Sequence, residues 1–205
     1  MSSLPDQLEY EFSIKPFQDE ELTHYVMEFL GKAIFWDDEL GEDKVIGTIR
    51  GHRIDFAQAR FDGLNAEQLT DSVSPDLSDF MTRVFPEGEC YLSDGDPKNV
   101  CPRKKCSGLI YIDEIQVEPA YRSRGIGTEL LKRMSEMIDL EACMIGLKAF
   151  PLTENYGETR DPEAIRRVKQ FYERLGFVHA GADYMIKDAS YCGVMKKRRL
   201  LEATN

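Results

Sequence analysis

Apolar and polar positions alternate with two different periods along this chain of 205 residues, and the period at each place predicts the element. Glu9 to Pro16 reads as a strand. Leu22, Tyr25, Val26, Phe29 and Leu30 then fall at i, i+3, i+4, i+7 and i+8, which predicts a helix stopped by Gly31 and hence a βα opening. Trp36-Asp-Asp-Glu-Leu-Gly reads as a loop, and Val45 to Arg50 and Arg53 to Phe61, on either side of Gly51, as the two strands of a hairpin. Two short helices follow: Asn65 suits the cap of the first, and Ser74-Pro75 the start of the second, whose apolar positions Leu77, Phe80, Met81 and Val84 end before Pro86.

Cys90 to Ser93 fits another short strand, whereas Asp94 to Ser107 has turn formers and basic residues without a period and is expected to be a loop. Regular structure resumes at Gly108. Strand Leu109 to Val117, a glycine-bearing turn, helix Gly127 to Ile138 and strand Ala142 to Phe150 make a βαβ unit. Asp161-Pro162 starts a further helix with the apolar stripe Ile165, Val168, Tyr172 and Leu175, stopped at Gly176. Phe177 to Ala180 and Tyr184 to Ile186 read as a last pair of strands. The hydrophobic fraction of 42% is enough for one core, so residues 1–205 are expected to form a single α/β domain.

The turn Arg122-Ser-Arg-Gly-Ile-Gly127 carries the chemistry. A strand, a short glycine turn and a helix in this order leave consecutive backbone N–H groups unpaired at the helix's positive end, a place suited to an anion. Gly125 and Gly127 keep side chains away from it, and Arg122 and Arg124 add permanent positive charge. Two familiar phosphate loops do not fit. After Gly127 come Thr128 and Glu129 where a P-loop needs Lys and Ser/Thr, and Leu130 stands where the dinucleotide fingerprint needs its third glycine.

The string Tyr111-Ile-Asp-Glu-Ile-Gln-Val-Glu-Pro-Ala-Tyr-Arg-Ser-Arg-Gly-Ile-Gly-Thr-Glu-Leu-Leu resembles the acetyl-CoA-binding motif of the GNAT N-acetyltransferase superfamily, and Phe171-Tyr-Glu-Arg-Leu-Gly-Phe177 its second signature. Together they cover residues 108 to about 186; residues 9–30 fit the family's opening, residues 32–107 match nothing and resemble an insertion, and 188–205 form a short basic C-terminal tail. The resemblance implies an α/β (α+β) fold: a mixed, mainly antiparallel sheet flanked by helices, with the βαβ unit holding acetyl-CoA. It places the pyrophosphate on Arg122, Ser123, Arg124, Gly125, Ile126, Gly127 and Thr128, and the pantetheine arm on Ile115, Gln116 and Val117. It implies that Tyr172 protonates the departing sulfur. Relatives carry a cofactor-contacting asparagine one to two turns earlier, where this chain has Ile165 and Val168, with Asn155 as a substitute.

Acetyl transfer requires a neutral amine, so a base or a water chain ending on a carboxylate is needed. Asp113 and Glu114 stand in an apolar strand, where an unpaired carboxylate is costly. Glu114 is favoured as the base, directly or through water; the alternative is that both carboxylates pair with nearby Lys or Arg. Strand alternation sends the two to opposite faces unless a bulge intervenes. His52 and His179 read as turn or strand-end residues.

The expected function is acetyl transfer from acetyl-CoA, the cosubstrate, to a primary amine of a small molecule or peptide. The alternative is a non-catalytic module of the same fold that binds acyl-CoA as a sensor or structural ligand. A net charge of −11 argues against nucleic acid as a partner and fits cationic acceptors. There is no membrane-length apolar stretch and no signal-peptide pattern at the N-terminus, so a cytoplasmic protein without a membrane partner is expected, with a homodimer possible. Five cysteines without a C-x-x-C pair read as reduced thiols, and no metal site is expected.

Overall fold

The computed structural model describes residues 8–37, 41–85, 91–92, 104–140, 142–150 and 161–189. In chain order they form β1 (Leu8–Pro16), β2 (Val26–Asp37), β3 (Glu42–Asp55), α1 (Phe56–Phe61), α2 (Ala66–Val73), α3 (Pro75–Val84), β4 (Tyr91–Leu92), β5 (Lys104–Lys105) and β6 (Gly108–Val117). A 3₁₀ turn (Pro119–Tyr121), α4 (Ile126–Met137), β7 (Cys143–Lys148), α5 (Pro162–Arg174), β8 (Val178–His179) and β9 (Tyr184–Asp188) complete them. Seven strands join in the order β1-β2-β3-β6-β7-β9-β8, and β4 pairs with β5 apart from that sheet. All neighbours in the large sheet are antiparallel except β6 and β7. The architecture is the mixed, mainly antiparallel α/β sheet expected.

Each face of the sheet has its own core. Ile46, Ile49, Ile110, Ile112, Ile145 and Leu147 pack on one side against Ile126, Leu130, Leu131 and Met134 of α4 and Tyr172 of α5. On the other side Ile54, Leu109, Tyr111, Met144, Tyr184 and Ile186 pack against Phe56, Ala59, Leu69, Leu77, Phe80 and Met81 of α1 to α3. The caps of these helices are local and legible: Asn65 accepts from the Glu67 N–H, Ser74 from the Leu77 N–H, and Asp161 from the Glu163 N–H.

Three expectations are corrected. The helix from Leu22 to Leu30 is absent: residues 18–25 turn, with the Tyr25 and Val26 N–H groups both donating to the Leu22 carbonyl, and β2 then runs through Gly31. The backbone of β2 is satisfied from both sides by β1 and β3, and a Cβ on Gly31 would strike the Phe12 ring, so this glycine is a close approach and not a helix stop. The two strands around Gly51 are one strand, β3, and Phe56–Phe61 is helical because Asp55 caps it by accepting from the Gln58 N–H. Residues 32–84, unmatched by any motif, thus build the second half of β2, all of β3 and the α1–α3 layer.

Cys106 is disulfide-bonded, with its partner outside the described residues, which corrects the reading of all five cysteines as thiols. The expected loop from Asp94 to Ser107 lies mostly outside the described residues, as do the C-terminal run Lys196 to Arg199 and Asn155; its described end includes β5. Among the described residues no helix is long and apolar enough to cross a membrane.

Two measurements check this packing. A Cβ on Gly51 would meet the Tyr111 carbonyl and the Phe29 ring, so Gly51→Ala should destabilise the fold by roughly 1–3 kcal/mol in urea unfolding. Burial pushes the Cys143 thiol up to about 11, so alkylation at pH 8 followed by mass spectrometry should leave Cys143 unlabelled until the protein is unfolded.

Candidate active site

The site begins where two parallel strands part. β6 pairs with β7 from Gly108↔Cys143 to Ile112↔Leu147, and there the ladder ends. On its other side β6 stays paired with β3, but the register slips: Gly51 lies opposite Ile112 and Arg50 opposite Glu114, so Asp113 is an extra residue. Such a bulge bends the strand and raises its twist, which carries Ile115 to Val117 away from the line of β7. Their backbone groups on that side face no described strand, whereas on the β3 side they pair with Gly47 to Ile49.

The chain then turns back into α4. The Glu118 N–H is tied to the Ile46 carbonyl at 2.9 Å, and the 3₁₀ turn leads to Ser123 at φ 61° and Gly125 at φ 85°. Gly125 is the N-cap of α4 and supplies no side-chain acceptor, so the first N–H groups of the helix stay available at its positive end. A Cβ on Gly127 would stand 3.5 to 3.9 Å from Phe171, Ile115 and Val117, all of which line the same space. The open edge of β6, the start of α4 and one face of α5 enclose a cleft of about 810 Å³, a volume suited to a cofactor-sized ligand.

Its electrostatics differ from those of the whole chain. Arg122, Arg167 and Arg174 line the cleft, and no Asp or Glu does among the described residues. Arg122 is fixed at the end of β6, where its Nε donates to the Val117 carbonyl at 2.9 Å. The cleft is therefore a locally cationic pocket in an acidic protein, and its chemistry fits a ligand with an anionic end and an amide-bearing arm.

Of the residues singled out for the cofactor, Ile115, Gln116, Val117, Arg122, Ser123, Gly125, Ile126, Gly127 and Thr128 all line this cleft. Arg124 does not: its guanidinium lies 5.4 Å from the Tyr121 ring centroid and donates to the Ala120 carbonyl, which braces the turn from outside. Tyr172 lines the cleft between Phe171 and Phe177, with ring centroids 5.0 and 5.5 Å away. Burial pushes its phenol well above the ordinary tyrosine range, so it stays protonated.

Glu114 lies outside the cleft lining, and its Oε2 accepts from Arg50 Nε at 2.7 Å. Asp113 Oδ2 is 3.1 Å from His52 Nδ1. The bulge intervenes, so the two carboxylates do not face opposite ways: their partners Arg50 and His52 are two apart on β3 and share one face. His52, expected in a turn or at a strand end, stands within β3. Sequence reasoning also passed over Arg167, Gln170 and Arg174, although their helical spacing puts them on one face of α5. Val168, where relatives have the asparagine region, is part of the lining. Among the described residues no three His, Cys, Asp or Glu side chains gather as a metal would require.

No curated protein sequence matches the chain. Solved structures similar to it include the KacTA–DNA complex, at 8% identity and TM-score 0.43, covering 92% of this chain and 99% of that one. A mutant AtaT toxin bound to the C-terminus of the antitoxin AtaR and acetyl-CoA is 9% identical, with TM-score 0.43 and coverage of 93% and 99%. Arabidopsis thaliana NAA60 in complex with a bisubstrate analogue is 14% identical, with TM-score 0.38 and coverage of 86% and 95%. The expectation that nucleic acid is excluded as a partner is corrected by the first of these, a similar chain in a DNA complex. Net charge sums a whole surface, whereas contact with phosphates is a local property. The family model described as acetyltransferase (GNAT) domain matches residues 87–179, a span that contains β6, the glycine turn, α4, β7 and α5. The chain carries an acetyltransferase (GNAT) domain at residues 87–179.

Proposed function

We propose that this protein is an acetyl-CoA-dependent N-acetyltransferase acting on a primary amine of a small molecule or peptide. The observation that carries the reading is the junction of a strand edge that no described strand pairs and a helix N-terminus without a side-chain cap in one cationic cleft. The N–H groups at the start of α4 hold the cofactor's pyrophosphate, with Arg122 beside it and Arg124 bracing the turn. Ile115, Gln116 and Val117 pair with the amides of the pantetheine arm as a further strand would.

This binding carries the thioester towards the bulge, where a strand N–H meets the developing oxyanion. Tyr172 donates to the departing sulfur; a phenol kept neutral by burial is suited to that role. Two groups at the bulge are placed to receive the amine's proton: the Glu114 carboxylate, and the His52 imidazole backed by Asp113.

Thermal unfolding with and without acetyl-CoA tests binding, since a ligand at 100 times its Kd adds roughly 2.7 kcal/mol to a folded state that alone binds it. Gly125→Asp should abolish the stabilisation, because it puts an L side chain at φ 85° and a negative charge at the phosphate position. Tyr172→Phe should keep the stabilisation and lower kcat roughly 10- to 100-fold, read as thiol release with a panel of primary amines: an alkylamine, a polyamine and a short peptide. Stabilisation by acetyl-CoA with no turnover on any amine would favour a sensor or structural module instead.

A further inference from the structure

The bulge that opens the cleft also sets a histidine against a carboxylate on the opposite face of the sheet. His52 lies opposite Tyr111 and next to Gly51, whose partner Ile112 is the last residue of β6 paired with β7. Asp113 follows at once. His52 is 13% exposed and its Nδ1 is shut off from solvent without an aligned hydrogen bond, 3.1 Å from Asp113 Oδ2. Nε2 is not among the shut-off atoms. Phe17 holds the ring edge-on at 5.7 Å.

A buried imidazole nitrogen beside a carboxylate is best satisfied with its proton towards the carboxylate, which leaves the Nε2 lone pair outward. Such a ring accepts a proton at Nε2, and the carboxylate stabilises the cation that results. The neighbouring charges are already matched. Glu28, opposite His52 on β2, pairs with Lys15 at 2.7 Å, and Arg50, two residues along β3, with Glu114.

The faces are also divided. Ile115, Val117 and Tyr172 belong to the α4 and α5 side, where the cleft opens, whereas Tyr111 and Phe17 belong to the α1–α3 side with His52. A thioester reaching the end of the β6–β7 ladder at Ile112 would come beside Asp113, the carboxylate that His52 Nδ1 faces at 3.1 Å.

Resting on the N-acetyltransferase reading, we propose that His52, oriented by Asp113, takes the proton from the acceptor amine. As the amine nitrogen bonds to the carbonyl carbon, one N–H proton passes to His52 Nε2. The C–S bond breaks, the sulfur receives a proton from Tyr172, Tyr172 regains one from water, and His52 gives its own to water. The balance is one amine and one thioester in, one amide and one thiol out. The acceptor approaches from the α1–α3 side.

The test compares His52→Ala, Asp113→Asn and Glu114→Gln with the parent, using the amine of the panel that the parent turns over. His52→Ala should keep its stabilisation by acetyl-CoA and its KM for that cosubstrate, and lose roughly 100-fold in kcat. Added imidazole should restore its turnover in proportion to concentration, a rescue that a packing role would not show and that Glu114→Gln should not share. Asp113→Asn should also lose kcat, without rescue. A parental kcat in His52→Ala, or a loss that imidazole leaves unchanged while acetyl-CoA still stabilises the variant, overturns the proposal and spares the transferase reading. If His52→Ala does not fold, a parental kcat in Asp113→Asn overturns it. Failure of the parent on every amine removes the transferase reading and this proposal together.

Discussion

One extra residue in β6 is the constraint on which the site depends. Up to Ile112 the strand is bound on both edges, by β3 and by β7. With Asp113 inserted, it keeps one partner and turns from the other, so a stretch of backbone in the middle of a sheet has hydrogen-bonding capacity to spare. Backbone polar groups away from water need partners, and on this edge no described strand supplies them. Gly51 belongs to the same device: because it lacks a Cβ, β3 can lie against the Tyr111 carbonyl where the slip occurs.

The second requirement is charge in the right place. A chain with a net charge of −11 holds a cleft whose described lining has arginines and no carboxylates. The field at a site is set within about a Debye length, roughly 8–10 Å, so the α4 terminus and Arg122, Arg167 and Arg174 weigh most there, with Arg167 also facing Asp161 at 3.6 Å. Two acidic side chains on the strands around the bulge are paired with cations: Glu114 with Arg50, and Glu28 with Lys15. These ion pairs stand on the same face of the strands as the His52–Asp113 pair.

Burial completes the division of labour. Tyr172 is 7% exposed and ringed by Phe171 and Phe177, so its hydroxyl remains a donor. His52, at the sheet's other face, is 13% exposed and buried at Nδ1. Tyr172 and His52 thus belong to opposite faces of the sheet.

Much of this was legible in the residues themselves, because it is local. The glycine turn, the caps at Asn65, Ser74 and Asp161, the βαβ order and the period of α4 and α5 all depend on neighbours within a few positions, and they stand where the letters put them. The stretch from Leu22 to Leu30 was misread because apolar spacing alone does not tell a helix from a strand that is buried on both faces; pairing with β1 and β3 decided it. The bulge at Asp113, the shared face of Asp113 and Glu114, the partners Arg50 and His52, and the meeting of α5 with the cleft were settled by tertiary structure. Each is a relation between segments far apart along the chain, such as Arg50 and Glu114, 64 positions apart, and a one-residue slip in strand register, which reverses the direction of every side chain beyond it, leaves no mark on local sequence.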